Sequence, residues 1–208
     1  MYEIKSNILP ILYSPLGIYN YPLTLNETAF NYINSLEKNV NLNNKSSKQS
    51  RVLENESLSN LKSFINFCIK DFLIKTYNPA HELEIYLTDS WINYNEKGDS
   101  HHLHNHPNSL ISGVFYINTT DEDNIIFFRT ETTNPFNIQA KGPTLFNGDS
   151  YKVPVLKNSL ILFPSLIYHY TSKHLSDSTR ISLSFNTFVS GVINDSKTLQ
   201  NLSLSKYV

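Results

Sequence analysis

The sequence predicts a mostly β protein with flanking helices, built as an antiparallel sandwich or barrel. From residue 82 onward, apolar and polar residues alternate with the period of a half-buried strand. Turn-forming residues separate many short strand-like runs, and no helical pattern lies between them. Such a series of strands favours antiparallel architectures, among which the jelly roll is one of the few available. The helical patterns lie before residue 80, so we expect the helices to pack on one face of the β-sheet.

The first eighty residues carry the supporting elements. Residues 7–23 combine apolar residues with prolines, which predicts an extended arm or an irregular edge strand. Thr24 and Glu27 have the spacing of a capping box and predict the start of a first helix. The polar segment 41–50 predicts a loop. A second helix is predicted over residues 57–76 from its apolar face.

Seven strands are predicted after these helices, at residues 83–87, 110–118, 124–129, 151–156, 159–163, 166–171 and 180–189. The sequence shows no internal repeat and no linker between domains. We therefore expect a single domain across residues 1–208. Its parts would be an N-terminal arm with two supporting helices in 1–80, a jelly-roll core in 81–190 and a C-terminal tail in 191–208.

Composition narrows the class of protein. With 208 residues, 40% of them hydrophobic and 17% charged, the chain fits a globular domain. A net charge of −1 argues against a nucleic-acid binder, which normally carries a basic patch. The single cysteine, Cys68, excludes an intramolecular disulfide and a cysteine-based zinc site, and its neighbours predict a buried thiol in a helix. Because no signal peptide or membrane span is visible, we expect a cytoplasmic, soluble protein.

The densest chemical signal is the segment 101–106, which reads HHLHNH and holds four of the seven histidines. Imidazole is the commonest metal ligand among side chains. Alternate residues of a strand face the same side, so His104 and His106 are expected to point into one pocket. His102 would share this face if the strand were regular that far back. A solvated histidine-rich loop is the alternative interpretation of this segment alone.

A second signal lies some sixty residues later in the chain. His169 follows a strand and a Phe-Pro-Ser turn, where a lone histidine is more often packed or hydrogen-bonded than a ligand. Arg180 lies eleven residues further on (180 − 169 = 11), and Ser182 faces the same way. A buried guanidinium needs an anion, either a protein carboxylate or a bound ligand. The strand RISLSFNTF carries no carboxylate, so we expect the ligand to supply the anion.

Together these motifs resemble a known family. The run from Trp91 to Tyr116 (WINYNEKGDSHHLHNHPNSLISGVFY), followed by LILFPSLIYH and RISLSFN, is similar to the 2-oxoglutarate/Fe(II) oxygenases of bacteria and phages. The resemblance covers roughly residues 80–190. It implies a double-stranded β-helix, the cupin-like form of the jelly roll. It also implies an oxygenase that uses Fe(II), 2-oxoglutarate and O2 to hydroxylate a substrate, with release of succinate and CO2.

The resemblance also implies a set of metal ligands. In the wider superfamily a His-x-Asp/Glu motif and a distal histidine hold the metal. His104 matches the first histidine and His169 the distal one, while His106 stands where the carboxylate would be. Asp99 is out of register for that position, so the site is either three-histidine or two-histidine with a water. We expect His106 to be a ligand, the alternative being a supporting hydrogen bond.

The co-substrate residues follow from the same resemblance. Arg180 matches the arginine that holds the distal carboxylate of 2-oxoglutarate, with Ser182 as its partner. Asn93 is expected to bond the carboxylate near the metal, and a structural turn role is the alternative.

Four other residues of the matched segment receive lesser roles. Trp91 and Tyr116 are expected to be core aromatics rather than substrate clamps. His101 and His102 are expected on the pocket rim or in a solvated loop.

Two other functions remain open at this point. One is a three-histidine, cupin-type dioxygenase that binds its substrate directly without 2-oxoglutarate. The other is a non-catalytic binding protein stabilised by a metal. The substrate class is also open, since peptidyl side chains, free metabolites and nucleobases all fit a fold whose substrate loops vary.

Overall fold

A computed structural model describes residues 14–130, 139, 141, 142, 144, 147–194, 197 and 199–205. Within these residues the chain forms two α-helices, α1 (Glu27–Ser35) and α2 (Ser59–Tyr77). The strands are β1 (Gly17–Asn20), β2 (Lys38–Val40), β3 (Lys45–Ser47), β4 (Leu83–Asn95), β5 (His101–His104), β6 (Ile111–Asn118), β7 (Asn124–Phe128), β8 (Ser150–Pro154), β9 (Ser159–Pro164), β10 (Tyr168–Thr171), β11 (Arg180–Ile193) and β12 (Leu202–Leu204). No helix among the described residues combines the length and the apolar character needed to cross a membrane.

These strands form two antiparallel sheets that face each other. The large sheet has the order β1-β9-β6-β11-β4-β3-β2, and β12 also pairs with β11. The small sheet has the order β5-β10-β7-β8. Apolar residues of both sheets fill the space between them: Val114, Tyr116, Ile125, Val153, Val155, Ile161 and Phe163. The predicted antiparallel sandwich of jelly-roll type is confirmed.

The two helices cover the other face of the large sheet, as predicted. Buried residues of α1 and α2 pack with large-sheet residues in one core: Ile33, Leu61, Ile65, Cys68 and Phe72 with Ile92, Phe115, Leu162 and Phe185. The predicted start of α1 is wrong, however, because Asn26 caps the helix and its side chain accepts a hydrogen bond from the Ala29 N–H. An asparagine satisfies a free amide at a helix start as well as a threonine does.

The polar segment 41–50 is only partly the loop that the sequence predicted. It contains β3, which pairs with β4 at the edge of the large sheet. Asn44 and Ser47 are buried there, and the Ser47 hydroxyl accepts a hydrogen bond from the Ile92 N–H at 3.1 Å. Hydrogen bonds replace apolar burial in this strand, so an alternation of hydrophobic residues could not reveal it.

The strands predicted from residue 83 onward are confirmed, with shifted ends. β4 and β11 extend further than predicted because they pair with each other along most of their length. At the N-terminus, β1 pairs with β9 and forms the predicted edge strand, while residues 7–13 lie outside the described residues. The boundaries at residues 80 and 190 stay a prediction; β1, β2 and β3 join the large sheet, and β12 pairs with β11.

Candidate metal centre

Three histidine side chains meet on the inner face of the small sheet. β5 and β10 are antiparallel, and their register places His104 opposite His169, so both side chains point to the same face. His106 follows β5 by two residues, and its N–H donates to the Ser165 carbonyl at 2.8 Å. Ligand atoms of the three side chains lie within 4.8 Å of one another. The structure therefore brings together the three histidines predicted as ligands.

Backbone carbonyls fix the orientation of two of these rings. The His104 Nδ1 donates to the His102 carbonyl at 2.8 Å, and the His169 Nδ1 donates to the Ile167 carbonyl at 3.0 Å. A carbonyl only accepts, so in the neutral rings Nδ1 carries the proton and Nε2 carries the lone pair. The Nε2 atoms of His106 and His169 lie 3.3 Å apart. This backbone support of the second ring nitrogen is typical of metal-binding histidines.

The surroundings keep the three imidazoles neutral. Burial lowers the pKa of His169 to about 2, and the charge of His104 acts in the same direction. Burial also lowers the pKa of His106 to about 4, although a hydrogen bond with Asn186 opposes it. The pKa of His104 is lowered by burial as well, with partial compensation from the His102 carbonyl. Neutral imidazole is the form that binds a metal, so all three lone pairs are available at pH 7.

His106 depends on side chains that the sequence analysis assigned differently or missed. The Trp91 ring stacks on it at a centroid distance of 5.9 Å and an interplanar angle of 30°. Trp91 is only partly buried on the pocket wall, so its prediction as a core aromatic is wrong, whereas Tyr116 is buried in the core as predicted. Asn186 was missed, although it shares the strand period of Ser182 and could have been found from it.

A pocket adjoins the three histidines, and the predicted co-substrate residues line it. Asn93 on β4 lies directly opposite Ser182 on β11, and both line this pocket with Arg180. Two buried amide atoms at the pocket, the Asn93 Oδ1 and the Asn95 Nδ2, have no hydrogen-bond partner among the described residues. Such atoms are costly to bury unpaired, which indicates a polar ligand. The Asn93 amide can also be turned over, since the Ser184 hydroxyl bonded to it donates as well as accepts.

A bulge decides which of the remaining histidines faces the pocket. The β5–β10 register pairs His169 with His104 and Thr171 with His101, so three residues of β5 span two of β10. This extra residue turns His101 into the pocket, whereas a regular strand would have placed His102 there. The expectation that His101 lies on the rim or in a solvated loop is therefore corrected to a place on the pocket wall.

A second group of three histidines, His101, His102 and His104, also brings ligand atoms within 4.8 Å of one another. All three of these residues are only partly buried, whereas His169 of the first group is buried. The His101 Nδ1 is also bonded to the Asn44 amide at 3.2 Å. The group of His104, His106 and His169 suits a metal better.

Arg180 has a protein partner that the sequence analysis did not expect. Its Nη1 donates to the Asp123 Oδ1 at 3.0 Å, and its Nη2 donates to the Thr171 Oγ1 at 2.9 Å. The expectation that a bound ligand supplies the anion for this arginine is therefore wrong. Asp123 lies in the turn before β7, so a search of Arg180's own strand could not find it.

The segment that builds this site matches a family model. Residues 89–186, which include every predicted site residue, match the family described as "Putative 2OG-Fe(II) oxygenase". Comparison with curated proteins finds no match to the sequence.

Solved structures of similar fold include HygX from Streptomyces hygroscopicus with nickel and 2-oxoglutarate bound. It is 10% identical, with a TM-score of 0.55 over 84% of this chain and 82% of its own. A prolyl-4-hydroxylase of Pseudomonas putida is 12% identical, with a TM-score of 0.54 over 82% of this chain and 91% of its own. The epimerase SnoN of nogalamycin biosynthesis is 11% identical, with a TM-score of 0.56 over 77% of this chain and 69% of its own.

At these identities the likeness establishes the fold, which is the double-stranded β-helix of these oxygenases. The family match covers the central part of that fold, from within β4 to within β11. Residues 89–186 of this chain therefore match the domain of the 2OG-Fe(II) oxygenase family.

Proposed function

We propose that this protein is an Fe(II)- and 2-oxoglutarate-dependent oxygenase that hydroxylates its substrate. The observation that carries the proposal is the joint pocket. Three convergent neutral histidines and the residues that would hold a dicarboxylate line the same space between the sheets. When bound, Fe(II) with 2-oxoglutarate supplies the oxidation of a C–H bond by O2, coupled to the conversion of 2-oxoglutarate into succinate and CO2.

His104, His106 and His169 would hold the metal in this proposal. Their donor set fits a divalent first-row ion, since imidazole suits iron, nickel and zinc alike. Three neutral imidazoles leave the full +2 charge on the site, whereas the common His-x-Asp/Glu arrangement leaves +1. A dianion such as 2-oxoglutarate would then neutralise the metal. If His106 is not a ligand, a water takes its place and His106 supports that water.

The polar residues of the pocket divide between the two ends of 2-oxoglutarate. Asn93 and Asn95 have amide atoms at the pocket that no described residue pairs, which suits the carboxylate near the metal. Arg180 and Ser182 suit the far carboxylate, because both lie on β11 and line the pocket. The apolar walls, Val114 and Ile125 among them, exclude water from this space. The substrate would enter from the side of the histidines, where the pocket reaches His101.

Hydroxylation is proposed over other outcomes of the same chemistry. The similar structures include a prolyl-4-hydroxylase and an epimerase, so the fold alone does not select one reaction. Hydroxylation needs no residue beyond the metal centre, which agrees with a pocket whose described lining residues include no carboxylate and no thiol.

Binding and turnover test the proposal in two steps. Under anaerobic conditions, Fe(II) and 2-oxoglutarate together should produce a weak visible charge-transfer band that neither produces alone. On admission of oxygen, the protein should convert 2-oxoglutarate slowly into succinate even without a substrate. A metal-loaded protein that gives neither the band nor succinate above a protein-free control contradicts the proposal.

A three-histidine dioxygenase that does not use 2-oxoglutarate is the second candidate. The pairing of Arg180 with Asp123 favours it, because the arginine is already neutralised by a protein carboxylate. This candidate predicts that Fe(II) binds normally while 2-oxoglutarate produces no charge-transfer band and no succinate.

A further inference from the structure

A buried cluster of charges lies behind the pocket and is not used by the proposed metal site. We define the charge cluster as Asp123, His174 and Arg180, whose side chains are at most 2% exposed. The Asp123 Oδ1 accepts from the Arg180 Nη1 at 3.0 Å and from the His174 Nδ1 at 2.9 Å. The Asp123 Oδ2 accepts from the backbone N–H of Thr120 at 2.9 Å. The cluster joins the turn before β7, the loop after β10 and the start of β11.

The hydrogen bonds assign a charge to each member of the cluster. Burial raises the pKa of Asp123, but the hydrogen bonds from His174 and Thr120 and the charge of Arg180 outweigh it, so the pKa is lowered. Asp123 is therefore a carboxylate. The two ring nitrogens of His174 face the Asp123 Oδ1 and the Ser178 carbonyl, which are both acceptors. A ring that donates from both nitrogens is an imidazolium.

The sum of these charges is positive. Arg180 and His174 each carry +1 and Asp123 carries −1, which leaves +1 in a buried site. Among the described residues, the ion pairs of Arg180 and His174 are both with Asp123. A buried net charge is costly unless an anion compensates it. Of the three, Arg180 lines the pocket, so the pocket is where that anion can approach.

Thr171 completes the arrangement from the pocket wall. Its Oγ1 accepts from the Arg180 Nη2 at 2.9 Å and from the His101 N–H at 2.9 Å. A hydroxyl oxygen that accepts twice still has its own hydrogen to donate. Thr171 lines the pocket, so its hydroxyl can donate this hydrogen to a group bound there. The guanidinium is thus held at one end by Asp123 and at the other by Thr171.

We propose that Asp123, His174 and Thr171 position Arg180 and set the charge of the subsite for the far carboxylate of 2-oxoglutarate. Asp123 and Thr171 hold the fork of Arg180 towards the pocket. Asp123 alone would cancel the charge of Arg180, and the imidazolium of His174 restores it. His174 is fully buried behind the pocket and acts through Asp123, so it is a positioning residue. The inference rests on the proposed function, because it concerns the co-substrate of the same site.

A comparison of two 2-oxo acids tests this role. The 2-oxopentanoate anion has the five-carbon chain of 2-oxoglutarate but ends in a methyl group where the far carboxylate would be. Affinities of the Ni(II)-loaded protein for both acids are measured by calorimetry. In His174→Gln, which keeps a donor for Asp123 but loses the charge, affinity for 2-oxoglutarate should fall at least tenfold. Affinity for 2-oxopentanoate should change less than twofold. A merely structural defect would weaken both acids alike.

Controls separate the possible outcomes. The exposed His81 provides a matched variant, His81→Gln, which should leave both affinities unchanged. If His174→Gln does not fold, Thr171→Val and Thr171→Ser replace it. The valine variant should lose the preference for 2-oxoglutarate, and the serine variant should retain it. An unchanged preference in His174→Gln or, where that variant does not fold, in Thr171→Val overturns the positioning role alone. Failure of the wild-type Ni(II) protein to bind 2-oxoglutarate instead contradicts the proposed function.

Discussion

The three candidate ligands differ in what holds their side chains. His104 and His169 are oriented by backbone carbonyls, which substitutions of neighbouring side chains do not remove. His106 relies on a stacking contact with Trp91 and a hydrogen bond with Asn186. Substitution of a neighbouring side chain can therefore change the orientation of the His106 ring more readily than that of the other two. His106 is also the position where the chain departs from the carboxylate of the wider superfamily.

Replacing His106 by alanine should weaken Ni(II) binding at least tenfold, as should His104→Ala and His169→Ala. The reason is the loss of one of three donor atoms from a site that offers no carboxylate. The single tryptophan, Trp91, stacks on His106, so its fluorescence reports metal binding directly. His106→Asp should bind Ni(II) more tightly than His106→Ala, because a carboxylate rebuilds the common triad. A loss of less than threefold in His106→Ala would identify a two-histidine site.

Arg180→Lys should weaken 2-oxoglutarate binding with little change in Ni(II) affinity. Lysine keeps the charge, but it cannot bridge Asp123 and Thr171 while also facing the pocket. The loss of a charged hydrogen bond corresponds to about 1–3 kcal/mol. Calorimetry of 2-oxoglutarate binding to the Ni(II) protein measures it. Equal 2-oxoglutarate affinity in the variant and the wild type would show that the far carboxylate does not bind at Arg180 on β11.

At the scale of single elements, β6 is closely packed where it lies between β9 and β11 in the large sheet. Gly113 of this strand has no room for a side chain. A Cβ atom there would lie 2.2 Å from the Phe185 Cζ and 2.7 Å from the Leu162 Cδ2. Both neighbours are fully buried in the core beneath the helices, so they have little freedom to move.

Gly113→Ala should lower the free energy of unfolding by about 1–3 kcal/mol, the usual cost of overpacking a core. Gly142→Ala is the matched control, since a Cβ atom at Gly142 meets nothing within 4 Å. Urea unfolding of both variants measures the difference. Equal stability of the two variants would show that Phe185 moves aside at no cost.

The elements also show how far the sequence could predict this site. The alternation around β4 and the spacing of His104, His169 and Arg180 were visible, because a strand repeats every two residues. The bulge that turns His101 inward was not visible, since a register shift depends on the partner strand. Asp123 was missed because its contact with Arg180 spans 57 residues and joins the turn before β7 to the start of β11.

At the scale of the whole molecule, several imidazole rings are enclosed in the space between the two sheets. Burial, together with the neighbouring histidines and Arg180, lowers the pKa of His101 to about 3. The pKa values of His106 and His169 are lowered to about 4 and about 2. Burying these rings as neutral groups prepares the metal site. The same burial makes the stability of the metal-free protein dependent on pH.

The stability of the metal-free protein should therefore fall as the pH decreases from 7.0 to 5.5. An unfolded histidine takes up a proton near pH 6.5, whereas His169 in the folded chain stays neutral down to a pKa of about 2. The unfolded state thus binds more protons below pH 6.5, so each such histidine lowers the free energy of unfolding by up to about 1.4 kcal/mol per pH unit. Above about pH 7.5, where an unfolded histidine is neutral, these buried histidines should no longer change the stability. The measured pH range ends at 5.5 because most carboxylates take up their protons below that pH.

Urea unfolding of chelator-treated protein at several pH values measures this dependence. His169→Gln removes one of the buried imidazoles, so its free energy of unfolding should fall less steeply with decreasing pH than that of the wild type. His81→Gln replaces an exposed histidine and should follow the wild-type slope. If His169→Gln shows the full wild-type slope, the protons responsible bind elsewhere, and His169 is not held neutral in the folded protein.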